Sequence, residues 1–184
     1  MITVGGHYDG DGHGAGAVDD WSGASLLPSL YQSIEKKARR HRFVFVGFSG
    51  EEARLIGSGT YVKRLSKEDR ALVRATVNLE CLGLTPPKVW AHRGDKGLLE
   101  SYSRVASALQ IPPASVNVEN VGDDDSHAFL KEKIPVITIH SVTQETWPIL
   151  HSNRDQVEAI SPEHYYMAYR LVATYLTYLD SSLP

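Results

Sequence analysis

Residues 43–52 read Phe43-Val44-Phe45-Val46-Gly47-Phe48-Ser49-Gly50-Glu51-Glu52. The apolar, β-branched and aromatic run over 42–48, closed by Ser-Gly, predicts a strand. Two adjacent glutamates stand where that strand ends. Adjacent carboxylates at an apolar strand end repel each other unless a cation lies between or beside them. Their side chains leave the chain in different directions, so one can bind a metal while the other faces a metal-bound water, as metal-assisted hydrolysis requires. Taken alone, the pair also suits a helix N-terminus.

Working outward, other strand-like runs end in the same kind of residue. Ile2-Thr3-Val4-Gly5-Gly6 leads to His7, and Ala75-Thr76-Val77-Asn78-Leu79 leads to Glu80. His151 lies beyond the strand expected over 134–139, and Asp19 sits in the Gly- and Asp-rich loop of 7–22. Shorter strands are expected over 88–91 and 115–118. Helices are expected over 23–40, after Glu51-Glu52, over 97–109, and from Pro162 onward with Ser161 as its N-cap. Pro28 is tolerable only near a helix start. Gly57 and Gly59 interrupt the second helix but would allow close packing on the sheet. Alternating strands and helices predict an α/β protein, a three-layer α-β-α sandwich with a mixed, mostly parallel sheet. In such a sheet ligands bind beyond the carboxyl ends of the strands. Two histidines and three carboxylates converging there suit zinc.

The chain has 184 residues, 42% of them apolar and 22% charged, with a net charge of −3. That size points to one domain spanning 1–184 with a sizeable core. The charge gives no reason to expect nucleic acid. The one basic cluster, Lys36 to Arg42, is expected at a helix end, where cations complement the dipole. No apolar run is long enough to span a membrane, and no signal peptide is visible, so the compartment stays open. Cys81 is the only cysteine, which excludes a disulfide framework and a cysteine zinc knuckle. It reads as a small buried residue. The tyrosines of the last helix recur at helical spacing and read as core.

Several local patterns carry two readings. Asp9 is placed to accept a hydrogen bond from the ring nitrogen of His7 that faces away from a metal. Gly12, Gly14 and Ala17 fit a dinucleotide fingerprint only partly. Asp9, Asp11, Gly14 and Asp20 imitate a calcium loop, but His13 stands where Asp or Asn belongs. Asp155 is placed to support His151. Gly122-Asp123-Asp124-Asp125-Ser126-His127 is either an exposed turn and helix cap or a flank of the same site. Trp21 and Trp147 either line an apolar pocket or are ordinary core. The charges favour a metal pair: two Zn²⁺ bring four positive charges, Asp19, Glu52 and Glu80 bring three negative ones, and a bridging hydroxide would bring the fourth.

Five motifs in order carry a resemblance over nearly the whole chain. They are Gly6-His7-Tyr8-Asp9, Gly16-Ala17-Val18-Asp19-Asp20-Trp21-Ser22-Gly23, Gly50-Glu51-Glu52, Asn78-Leu79-Glu80 and His151-Ser152-Asn153-Arg154-Asp155. Together they resemble the two-zinc exopeptidase family of bacterial leucyl aminopeptidases, related to glutamate carboxypeptidase and glutaminyl cyclase. The resemblance implies that His7, Asp19 and Glu80 contact one zinc, that Asp19, Glu52 and His151 contact the other, and that Glu51 is the general base and acid. It implies a peptide substrate and a cis peptide between Asp19 and Asp20. The family is often exported. Three departures stand out. Glu80 replaces the usual Asp. Asp125-Ser126-His127 replaces Ser-Asp-His. The family's usual stretch of edge strands before the first His does not stand in this sequence, which would leave an exposed sheet edge, weaken the fold, or make this chain a fragment or a partner-dependent form. Two other functions remain open: a one-zinc acyltransferase like glutaminyl cyclase, and a truncated non-catalytic binding module. The preferred residue and the oligomeric state are open too.

Overall fold

A computed structural model describes residues 1–116 and 122–184. Its sheet has five strands in the order β2-β1-β3-β5-β4. These are β1 (Ile2–His7), β2 (Phe43–Phe48), β3 (Ala75–Glu80), β4 (Lys88–Val89) and β5 (Val136–His140). β1 runs parallel to β2 and β3, and β3 runs parallel to β5; only β4 is antiparallel, against β5. The mixed, mostly parallel sheet is therefore as expected, and β2 forms one edge of it. Of the strand expected over 115–118, Ser115 bridges Val89, and positions 117–118 lie outside the described residues.

Alternation along the strands sorts the two faces. Ile2, Val4, Ala75, Val77, Leu79, Ile137 and Ile139 join one core with the apolar faces of α1 (Ser22–Ile34), α4 (Lys96–Ala108) and α6 (Pro162–Ser182). Phe48 and Val136 join a second core with Val62 of α2 (Ile56–Arg64) and Phe129 of α5 (Ser126–Lys131). A further short helix, α3 (Lys67–Leu72), is capped by Ser66, which accepts the Asp69 N–H at 2.9 Å. Each large aliphatic side chain so buried contributes about 1.5–3 kcal/mol.

The tyrosine stripe of α6 is core. Tyr175 is fully buried, donates to the Leu98 carbonyl at 2.8 Å and meets Tyr102 edge-on at 6.2 Å. Ser161 caps α6 by accepting the His164 N–H at 3.3 Å.

Helix α1 starts within one residue of expectation and departs from it at its C-terminal end. It begins at Ser22, so Pro28 falls well inside it, and burial of Leu26, Leu27, Leu30 and Ile34 holds the helix across the missing N–H. It ends at Ile34 rather than near 40. The basic cluster therefore does not sit on the end of its own helix. Arg40 instead donates to the Ser181 carbonyl at 2.7 Å, at the end of α6, and the His41 N–H reaches the Asp180 carboxylate at 2.7 Å. The cation still complements a helix carbonyl end, but that of α6.

Candidate metal centre

His7 and Glu80 end neighbouring parallel strands and share one sheet face. The β1–α1 connection brings Asp19 between them and the loop that carries His151. Asp19 Oδ1 lies 3.2 Å from His7 Nε2, and Asp19 Oδ2 lies 3.1 Å from His151 Nε2. Glu80 Oε1 lies 3.2 Å from His7 Nε2, and Glu52 Oε1 lies 3.2 Å from His151 Nε2. Two clusters result, His7–Asp19–Glu80 and Asp19–Glu52–His151, and in each the donor atoms lie within 4.8 Å of one another. Asp19 belongs to both. Glu51 stands outside both clusters, its Oε2 4.0 Å from His7 Nε2.

These donors fit metal ions on their own chemistry. Four carboxylates and two imidazoles face one another, and the buried Glu52 Oε1 makes no hydrogen bond among the described residues although His151 Nε2 stands 3.2 Å away, an arrangement that a cation held between the two would satisfy. The titration shifts record the same crowding. Burial and then Glu80 push the Glu51 carboxyl up to about 9. Burial pushes Glu80 up to about 7, although His7 opposes it. Burial disfavours charge on His7, but Glu80 and Asp19 outweigh it and hold its pKa far above the usual imidazole value. Burial likewise opposes charge on Asp19 and is outweighed by His151 and His7, so its pKa falls. The Asp19 hydrogen bond lifts His151 to about 9.

The surrounding chain is built to hold these groups. His7 Nδ1 donates to the backbone carbonyl of Asp9 at 2.9 Å, which fixes the tautomer with Nε2 toward the cluster. The Asp9 carboxylate is 3.6 Å from that nitrogen and serves elsewhere, accepting the N–H groups of Glu51 and Glu52 at 3.2 and 3.3 Å. Asp155 supports Asp19, not His151: its carboxylate accepts the N–H groups of Val18 at 2.7 Å and Asp19 at 3.2 Å. Asp11 is the carboxylate nearest His151 Nδ1, at 3.9 Å. The peptide between Asp19 and Asp20 is cis. Asp20 is fully buried and ties the turn to β3, accepting the N–H groups of Gly23 and Cys81 at 2.9 Å each.

Backbone strain gathers around this centre. Arg54, Leu55, Cys81 and His151 all hold positive φ, of 71°, 60°, 48° and 51°, a region costly for side chains such as Leu. Gly57 lets α2 close on the loop before Glu51: a Cβ there would meet the Ser49 carbonyl oxygen at 2.3 Å. Gly59 has no such neighbour, so only one of the two glycines serves close packing, and it packs on a loop rather than on the sheet.

A cavity of about 280 Å³ opens beside the cluster, with Trp147, Leu150, Val142 and Leu55 in its wall. Trp147 is therefore placed as expected for a pocket residue. Trp21 is not: it is 53% exposed and borders a separate groove with Tyr31 and Phe45. The acidic stretch before α5 divides. Asp123 pairs with Arg93 and with His127 at the surface, whereas Asp124 and Asp125 are buried. Asp124 borders the cavity and accepts the Thr138 hydroxyl at 2.8 Å. Cys81 is buried, as expected, and burial pushes its thiol well up. Asp124 bears out the reading of its stretch as a flank of the site, whereas Trp90, Thr138 and His140 are wall residues that the sequence did not single out. The spacing of Thr138 and His140, two apart on one strand, was the available signal.

Fold and site together define a helix-covered α/β sheet with a shared-carboxylate, double histidine cluster at the strand ends. The family described as Peptidase family M28 matches residues 1–176, and the chain belongs to it. Among curated proteins the chain is similar to Aminopeptidase YwaD of Bacillus subtilis (strain 168), 27% identical over 180 residues, 94% of this chain and 39% of that protein. It thus spans about two-fifths of that relative's length. Among solved structures it is similar in fold to BSAP, a zinc aminopeptidase from Bacillus subtilis, with a TM-score of 0.86 at 24% identity over 95% of this chain and 45% of that one. It is also similar in fold to an Acidobacteriales bacterium glutaminyl cyclase, with a TM-score of 0.80 at 19% identity over 97% of this chain and 69% of that one.

Proposed function

We propose that this chain is the catalytic domain of a metallo-aminopeptidase that holds two zinc ions and removes N-terminal residues from peptides. The observation that carries the reading is the position of Asp19, with one carboxylate oxygen facing His7 and the other facing His151. One carboxylate shared by two donor sets is the two-metal arrangement. His7 and Glu80 would complete one metal, and Glu52 and His151 the other. When bound, the ions would polarise the scissile carbonyl and acidify a water.

The chain's own groups do the rest. Glu51, outside both donor sets, takes a proton from the attacking water and returns it to the leaving amine. Asp9 and Asp155 hold the main chain of Glu51, Glu52 and Asp19 in place. The cavity beside the cluster receives the side chain of the residue to be released.

The test is metal analysis of the purified chain together with hydrolysis of aminoacyl-arylamides. Close to two zinc ions per chain and measurable hydrolysis are expected. A stoichiometry near one, with ammonia released from peptides that begin with Gln, would identify a cyclising acyltransferase instead. Folded protein that takes up no metal would identify a non-catalytic module.

A further inference from the structure

The peptide that leads into Asp19 is held from both sides. Its N–H, that of Asp19, donates to Asp155 at 3.2 Å, in the loop of His151. Its carbonyl, that of Val18, accepts the Ser22 hydroxyl at 2.7 Å. The same hydroxyl oxygen accepts the Leu82 N–H at 2.6 Å. Leu82 stands two residues beyond Glu80, just past the end of β3. The Ser22 proton also faces Asp20 Oδ1, at 3.3 Å, and the shorter contact to Val18 takes it. Ser22 is 2% exposed, and Val18 and Leu82 are fully buried, so bulk water does not stand in for a lost bond. Tyr165 of α6 donates to the Ser22 carbonyl at 2.8 Å and fixes the residue from the helix layer. Asp19 and Glu80, two members of one donor set, are thus joined through one hydroxyl. The other set is held differently: Glu52 through its N–H on Asp9, and His151 by the loop it shares with Asp155.

We propose that Ser22 is a positioning residue for one of the two metal sites: its hydroxyl sets the span between Asp19 and Glu80 and with it the affinity of the His7–Asp19–Glu80 site, whereas the Asp19–Glu52–His151 site does not depend on it. The proposal rests on the two-metal reading of the same centre. Groups that orient ligands govern metal affinity nearly as the ligands do. Without the hydroxyl, Asp155 still ties Asp19 to the loop of His151. The tie from the Asp19 turn to the end of β3 is then reduced to the Cys81 N–H on Asp20. The buried Leu82 N–H loses its acceptor, and β3 gains freedom to shift just beyond Glu80. A serine that merely completed the turn would, when removed, weaken both sites together.

The experiment measures Zn²⁺ affinity by chelator competition with and without Ser22→Ala in three backgrounds. These are the parent chain, His151→Ala, which keeps the His7–Asp19–Glu80 set whole, and Glu80→Ala, which keeps the other. Ser22→Ala is expected to weaken one of the parent's two ions about 10- to 100-fold, to do the same to the ion of the His151→Ala chain, and to move that of the Glu80→Ala chain less than about twofold. Co²⁺ in place of Zn²⁺ gives a spectroscopic readout: Ser22→Ala changes the visible absorption in the His151→Ala background and not in the Glu80→Ala background. Equal losses in both single-site backgrounds, or none in either, overturn the proposal and leave the two-metal reading standing. If a single-site chain binds no ion, the parent pair decides: one ion weakened supports the proposal, and both or neither overturns it. A parent chain that binds a single ion overturns the two-metal reading; the proposal then stands if Ser22→Ala weakens that ion and falls if it does not. A parent chain that binds none overturns both. If Ser22→Ala does not fold, as judged by circular dichroism, Ser22→Cys, which keeps the bulk and weakens both hydrogen bonds, decides by the same comparison.

Discussion

The Asp155 carboxylate holds Asp19 by its backbone, accepting the Asp19 N–H at 3.2 Å and the neighbouring Val18 N–H at 2.7 Å. Asp155 is 2% exposed, so those two N–H groups have no water to turn to. The residue that both donor sets share is thus fixed from a part of the chain that also delivers His151. Substitution Asp155→Ala should lower zinc affinity about 10- to 100-fold, as loss of a supporting carboxylate does elsewhere. Competition with a zinc chelator measures it, and unchanged affinity would remove Asp155 from the site's framework.

Asp19 differs from the other donors because it serves both sets. Asp19→Asn should take zinc content from near two to below one per chain. His151→Ala should leave about one. Equal loss from both variants in metal analysis would contradict the shared role.

Glu51 belongs to neither donor set, and its Oε2 lies 4.0 Å from His7 Nε2. Glu51→Gln should therefore keep both metals and lose about 10²–10⁴-fold in kcat, the usual contribution of a general acid–base group. Full activity in that variant would assign the proton transfer elsewhere.

Gly57 and Gly59 lie two residues apart in α2 with opposite expectations. Gly57→Ala would drive its Cβ to 2.3 Å from the Ser49 carbonyl oxygen, shifting the loop that carries Glu51 and costing several kcal/mol, roughly the range of overpacked sites. Gly59→Ala meets nothing within 4 Å and should stabilise by up to about 1 kcal/mol through helix propensity. Urea denaturation of both variants checks the pair.

His140 makes stability fall in acid. Its pKa is lowered from 6.5 to about 4, chiefly by burial. A depressed folded-state value means that the contribution is present above pH 6.5 and is lost as pH falls through 4. The loss between pH 7 and pH 4 is about 3 kcal/mol for a group this deeply buried. His140→Gln should flatten the stability profile over that window, measured as the difference between parent and variant. Parallel profiles would show that His140 does not titrate with folding.

The sequence carried the strand ends legibly because each strand is a short apolar run stopped abruptly by a ligand-type residue. His7, Glu80 and the pair Glu51-Glu52 could be read from that break alone. Helix α1 was harder. Its pattern continued into Lys36 and Lys37, while the real end at Ile34 follows from where the apolar face runs out and from the pull of Asp180 on Arg40 and His41. The support given by Asp9 and Asp155 was legible as residue type but not as direction. Both lie near a histidine in sequence, yet their carboxylates turn to backbone N–H groups, those of Glu51 and Glu52 for Asp9 and those of Val18 and Asp19 for Asp155.

By itself the sequence determined the alternation of strands and helices, the parallel sheet it implies, and the chemical types gathered at the strand ends. Hydrophobic periodicity is a local property, and it writes those features along the chain. Only the tertiary structure decided which oxygen of Asp19 faces which histidine, that Trp147 rather than Trp21 borders the cavity, and that Trp90 and His140 border it too. Those relations join residues from different strands and loops. They are set by packing and by the demand that buried polar groups find partners, which no local pattern in the chain records.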